Sequence, residues 1–182
     1  MTDPTTAAAE PGRRTLILLR HGKSDYPGGT RDFDRPLAHR GEVEAAAAGK
    51  WLAETQPPID LVLCSAAVRT RQTLAATGVD AEVQYEQDIY DAGPGDVLAL
   101  LRAVPEKVRT VLVVGHAPGI PSLASGLAGP GSDEKAMDEM YSKFPTSAMA
   151  VLTFTGPWSE LDADGADLVA FEVARPGDDT DR

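Results

Sequence analysis

The chain has 182 residues, 42% of them hydrophobic and 25% charged, with a formal net charge of -11. That length and hydrophobic share suit one soluble globular domain. The negative charge argues against non-specific nucleic-acid or anionic-membrane binding, and no apolar run approaches a transmembrane span.

Residues 1–12 are polar, rich in Ala, Thr and Pro, and without periodicity, so they read as a disordered tail. Thr15-Leu16-Ile17-Leu18-Leu19 is short, uncharged and continuous, the pattern of a buried strand in a parallel sheet. It stops at Arg20-His21-Gly22. A loop follows over residues 24–36, marked by Pro27-Gly28-Gly29, and then an alanine-rich helix over Gly41 to Glu54 that Pro57-Pro58 closes. Ile59 to Cys64 reads as a second buried strand ending at Ser65, and the helix after it, Ala67 to Ala76, carries Arg69. Ala81 to Tyr85 alternates like a strand nearer an edge. Asp96 to Val104 reads as a helix capped by Asp96. Thr110 to Val114 is a further buried strand, and it ends at Gly115-His116-Ala117-Pro118-Gly119. Helices near Ile120 to Leu127 and Glu134 to Tyr141 and strands at Ala148 to Phe154 and Leu168 to Val173 complete the pattern. Residues 174–182 are rich in Pro, Gly and Asp and read as a second, acidic tail. The alternation predicts an α/β fold, a three-layer αβα sandwich with a mostly parallel sheet, as one domain over residues 13–173.

Three strands therefore deliver Arg20, His21, Arg69 and His116 to one edge of one sheet, where open α/β folds bind ligands. Two guanidiniums and two imidazoles suit a phosphoryl group, because arginine's planar fork matches phosphate oxygens. A cysteine-based phosphatase loop needs an arginine six positions after its cysteine; Thr70 stands there, and Cys64 reads as a small buried strand residue. Three dispersed histidines without a carboxylate cluster do not make a metal site, and no Walker-type glycine loop is present. One cysteine and no secretory signal pattern suggest a cytoplasmic protein.

Four segments, in order, resemble the histidine phosphatase (phosphoglycerate mutase-like) superfamily, in its SixA-like branch: Arg20-His21-Gly22, Asp34-Arg35-Pro36-Leu37 with Arg40-Gly41, Ser65 to Thr73, and Gly115 to Gly119. Two positions depart from the pattern: Ala66, where proline is frequent, and Ala117, where asparagine is. The resemblance implies a cofactor-independent phosphatase in which His21 is the nucleophile. A neutral imidazole can take the phosphoryl group as a phosphohistidine, and neighbouring arginines should lower the pKa of His21. Arg20 and Arg69 would clamp the phosphoryl oxygens, with His116 donating a hydrogen bond; losing such a donor costs about 3–4 kcal/mol. Asp91 is the positional match for a general acid; alternatively it only caps a turn before Gly93. Asp25, Asp32 and Asp34 are weaker candidates. His39 is expected to be exposed and Arg71 to face the surface. The short connection from Tyr85 to Asp96 leaves no room for a large lid, so an open site is expected. Such a site could admit a phosphorylated protein side chain, which favours protein phosphohistidine as substrate. Small phosphate esters, or non-catalytic phosphate binding, are the alternatives.

Overall fold

Strand alternation sets the layers. In β1 (Arg13–Arg20) Leu16 and Leu18 enter one core and Ile17 and Leu19 the other, all four fully buried. Leu61 and Leu63 against Val62 and Cys64 repeat this in β2 (Leu61–Ser65), as do Val111 and Val113 against Leu112 and Val114 in β4 (Thr110–Gly115). A strand buried on both faces has no polar side to show, which is why these segments read as unbroken apolar runs. The structure is a computed structural model, and it describes residues 11–177.

The sheet has six strands in the order β3-β2-β4-β1-β5-β6, with β3 at Glu82–Glu86, β5 at Met149–Thr155 and β6 at Asp167–Glu172. The first four strands are mutually parallel; β5 runs antiparallel to both β1 and β6. Helices α1 (His39–Thr55) and α2 (Val68–Thr77) cover one face through Ala48, Leu52 and Leu74, with Trp51 packed partly buried beside them. Helices α3 (Pro94–Arg102), α4 (Gly119–Leu127) and α5 (Glu134–Ser142) cover the other through Leu101, Leu123 and Met140. Trp158 is fully buried on that second side, its indole N–H donating to the Val108 carbonyl at 2.8 Å. This is the three-layer αβα sandwich that the alternation predicts. Only residues 87–93 join β3 to α3, so no large lid is inserted there.

Two local readings change. Asp96 does not cap α3: the helix starts earlier, at Pro94, and Asp96 sits in its first turn with its carboxylate accepting from the Gly93 N–H at 2.9 Å. Proline tolerates that start because a first-turn N–H has no helical partner. Packing also continues past Val173. Ala174 is buried, and Arg175 lies 3.5 Å from Glu44, a residue only 3% exposed. Of the expected tails, residues 1–10 and 178–182 lie outside the described residues.

The topology places a crevice. β1 leads into α1 on one face, and its neighbour β4 leads into α4 on the other, so the chain parts between their carboxyl ends. Arg20 lies opposite Gly115 in the parallel register, and the His21 N–H donates to the Gly115 carbonyl at 3.0 Å. The two histidines therefore leave adjacent strands at the same level. Gly41 lets the start of α1 pass against the segment that follows: a Cβ there would overlap the Lys23 carbonyl.

Candidate active site

His21 is 9% exposed and His116 8%, with ring centroids 5.2 Å apart. His21 Nδ1 lies 2.7 Å from the Gly22 carbonyl oxygen. A carbonyl can only accept, so Nδ1 carries the proton and Nε2 keeps a free lone pair. Thr73 on α2 fastens this loop: its hydroxyl accepts from the Gly22 N–H at 3.0 Å and donates to the Arg69 carbonyl at 2.7 Å.

His116 is oriented from the other side. Its Nε2 lies 2.8 Å from the Ser65 hydroxyl, which itself accepts from the Ala67 N–H at 3.3 Å. Ser65 is fully buried, and its own proton finds an acceptor in His116 Nε2. That assignment leaves the proton of the neutral ring on Nδ1, which is buried without a protein partner.

The arginines show the same incompleteness. Arg20 Nη1 donates to the Phe144 carbonyl at 2.8 Å, and Arg69 Nη1 to the Asp32 carbonyl at 2.7 Å. The Nε atoms of both are buried and unpartnered. A buried donor without an acceptor costs about 1–3 kcal/mol. These three donors belong to the side chains that lie nearest His21 by ring contact and charge, and such a set can cradle an anion.

Both histidines are held neutral. Burial is the leading cause for His21, lowering its pKa to about 4; Arg69, Arg20 and Arg35 add to this, and the Gly22 carbonyl opposes it. The arginines lower it as expected, but after burial. For His116 burial again leads, then His21 and Arg69, with a pKa lowered to about 3. Cys64 is buried in β2, and burial pushes its thiol up to about 12, far from any nucleophile.

The comparisons with known proteins agree with this geometry. A family model described as Histidine phosphatase superfamily (branch 1) matches residues 16–100. Phosphohistidine phosphatase SixA of Escherichia coli is 31% identical over 144 residues, covering 76% of this chain and 84% of that protein. The chain belongs to the histidine phosphatase superfamily. It lies in the SixA-like branch, as the four sequence segments suggested. A solved structure of a candidate phosphohistidine phosphatase SixA from Nakamurella multipartitia superposes with a TM-score of 0.82 at 43% identity, over 90% of this chain and 97% of that one. An uncharacterized protein of Mycobacterium tuberculosis is 48% identical over 158 residues, 86% of this chain and all of that protein.

Around its cradle, this histidine phosphatase has Tyr90 and Arg35, which the sequence did not assign to the site, and Asp32, which it offered only as a weaker general-acid candidate. Asp32, in the short 3-10 turn Asp32–Asp34, accepts from Arg69 at 3.2 Å, from Arg35 at 2.9 Å and from the Tyr90 hydroxyl. Tyr90 packs edge-on against both Phe33 and His116, with centroids at 5.0 and 5.6 Å. Arg35 reaches the Ser24 hydroxyl and lies over the Tyr26 ring at 3.3 Å. Asp34 pairs with Arg31.

Asp91 is brought near but not into the cradle. It is exposed and lines a surface depression with Gln87, Asp88, Tyr90 and Asp96, which contains neither histidine. His39 is exposed beside Glu42, and Arg71 turns away to the Tyr85 ring. Among the described residues, no group of three or more His, Cys, Asp or Glu side chains could hold a metal ion, and no helix is long and apolar enough to cross a membrane.

Proposed function

We propose that this histidine phosphatase works through a phosphohistidine on His21 and takes protein phosphohistidine as its substrate. The observation that carries the reading is the free Nε2 of a buried, neutral His21 beside three unpartnered donors, Arg20 Nε, Arg69 Nε and His116 Nδ1. The donors hold the phosphoryl oxygens and stabilise the charge of the transition state. The His21 Nε2 lone pair forms the new P–N bond while the substrate's P–N bond breaks, its electron pair staying on the substrate nitrogen. Water then forms a P–O bond, the His21 P–N bond breaks toward Nε2, and the water proton leaves with phosphate or to solvent.

A phosphohistidine substrate needs no enzymic acid, because a ring protonated on its other nitrogen leaves as neutral imidazole. This accords with a site whose contacting carboxylate, Asp32, is tied to two arginines. The alternative of small phosphate esters requires a proton donor, and Asp91, exposed beside Tyr90, is the group it would use. The short link over residues 87–93 favours a protein-borne substrate, since nothing there closes over it. A cytoplasmic place of action fits the single, buried cysteine, and the net charge of -11 disfavours nucleic-acid partners.

The test is transfer of phosphate to the protein. Wild type and His21→Ala are incubated with a phosphoramidate and quenched in base. Acid-labile label on wild type alone is the expected result. Turnover without label under fast quenching, or undiminished turnover by His21→Ala, overturns the mechanism.

A further inference from the structure

Asp32 ties three parts of the chain together at the rim of the cradle. Its Oδ1 accepts from Arg35 Nη1 at 2.9 Å, and its Oδ2 from Arg69 Nη2 at 3.2 Å and from the Tyr90 hydroxyl. A carboxylate oxygen accepts about two hydrogen bonds. Oδ2 is therefore filled, while Oδ1 keeps one acceptor position, and the side chain is still 54% exposed. The Tyr90 ring that contacts Asp32 also packs against His116, and the Asp32 charge is felt at that imidazole, so this acceptor lies near the ring proposed above to hold the phosphoryl group.

A fixed anion next to a phosphate cradle selects by charge. It repels a phosphate ester whose leaving group carries no cation. It favours a substrate with a positive charge one ring away from phosphorus, and protonated phosphohistidine has that form. Resting on the phosphohistidine reading above, the geometry points to Asp32 as a specificity-determining residue that accepts a hydrogen bond from the distal ring N–H of the substrate's phosphoimidazolium. The proton on that nitrogen never moves. As the His21 P–N bond forms and the substrate's breaks, the released electron pair neutralises the ring, and imidazole departs with its N–H intact. The carboxylate raises the share of substrate in this reactive, protonated form.

The role requires Asp32 to stay ionised. The Tyr90 hydroxyl, and after it Arg35, hold its carboxyl below the usual carboxylate range. The charged and titratable groups that face it are Arg35 from its own loop, Arg69 from α2, Tyr90 from the link after β3, and His116 from the turn after β4.

The experiment compares the full-length wild type with Asp32→Asn and Asp32→Glu on a phosphohistidine peptide and on p-nitrophenyl phosphate. In Asp32→Asn, kcat/KM on the peptide is expected to fall about tenfold, the size of a lost hydrogen bond between charged groups. On the ester it is expected to rise several-fold, and the alkaline limb of the peptide pH profile to move to lower pH. Asp32→Glu, which keeps the charge, retains the preference for the peptide. Parallel losses on both substrates would mean that Asp32 only holds Arg69 in place, and an unchanged ratio would mean that it does not select; either overturns its role alone. A wild type that cleaves the ester but never the peptide overturns the phosphohistidine reading itself, and this inference with it.

Discussion

His116 can donate to a phosphoryl oxygen only if its proton sits on Nδ1, and the residue that puts it there is Ser65. Ser65→Ala removes the hydroxyl from Nε2 and frees the ring to adopt the other tautomer or to rotate. We expect kcat to fall about tenfold or more with a smaller change in KM, since the lost interaction belongs to the transition state. Nitrogen NMR of His116 checks the cause: wild type shows the Nδ1–H form, the variant a mixture. An unaltered tautomer with lowered kcat would place the effect elsewhere. Arg20, His21, Arg69 and His116 were legible because each stands at, or one turn beyond, the end of an apolar run. Local pattern alone reaches such positions. Asp32 and Tyr90 are 58 residues apart and meet only once the sheet is built. No periodicity marks a loop aspartate as the one among Asp25, Asp32 and Asp34 that will meet Arg69 and Tyr90. The Ser65 hydroxyl escaped for the same reason, its partner lying 51 residues away.

At the scale of elements, α1 does more than cover the sheet. Its Gly41 abuts the backbone at Lys23, just after the nucleophile's loop, while Gly126 in α4 is exposed with nothing within 4 Å of a Cβ. Alanine normally stabilises a helix over glycine by about 1 kcal/mol. The two replacements should therefore differ in sign. Gly126→Ala is expected to raise stability by up to about 1 kcal/mol. Gly41→Ala is expected to lower it by about 1–3 kcal/mol, the usual cost of overpacking, and to reduce turnover because the His21 loop must shift. Urea denaturation of both variants decides the point, and a stabilised Gly41→Ala would show that the helix start has room to move. The helices themselves were readable to within one or two residues, as for α2, expected at 67–76 and found at Val68–Thr77. The start of α3 was placed two residues late, because an aspartate in the first turn and a true cap look alike in sequence; only the Gly93 N–H contact separates them.

For the whole molecule, the buried neutral histidines make the fold acid-sensitive. The unfolded chain takes up a proton on each near the ordinary histidine value of 6.5, whereas the folded protein resists until about 4 at His21 and about 3 at His116. Between those values the unfolded state holds more protons, so stability falls as pH falls. The contribution is fully present above pH 6.5 and lost progressively on the way down to about 4, by about 3 kcal/mol for His21 alone. Denaturation midpoints measured from pH 7 to pH 4 should show this slope, and His21→Gln should flatten it. A wild-type slope that His21→Gln leaves unchanged would mean that the imidazole is not held neutral.

The two tryptophans lie on opposite sides of the sheet, Trp158 sealed beneath α3 and Trp51 half covered on α1. The molecule thus carries an intrinsic fluorophore in each of its outer layers. Single Trp→Phe variants would let emission from one layer be followed without the other. Whether the layer that anchors the His21 loop loosens before the opposite layer then becomes a question that a fluorimeter can answer.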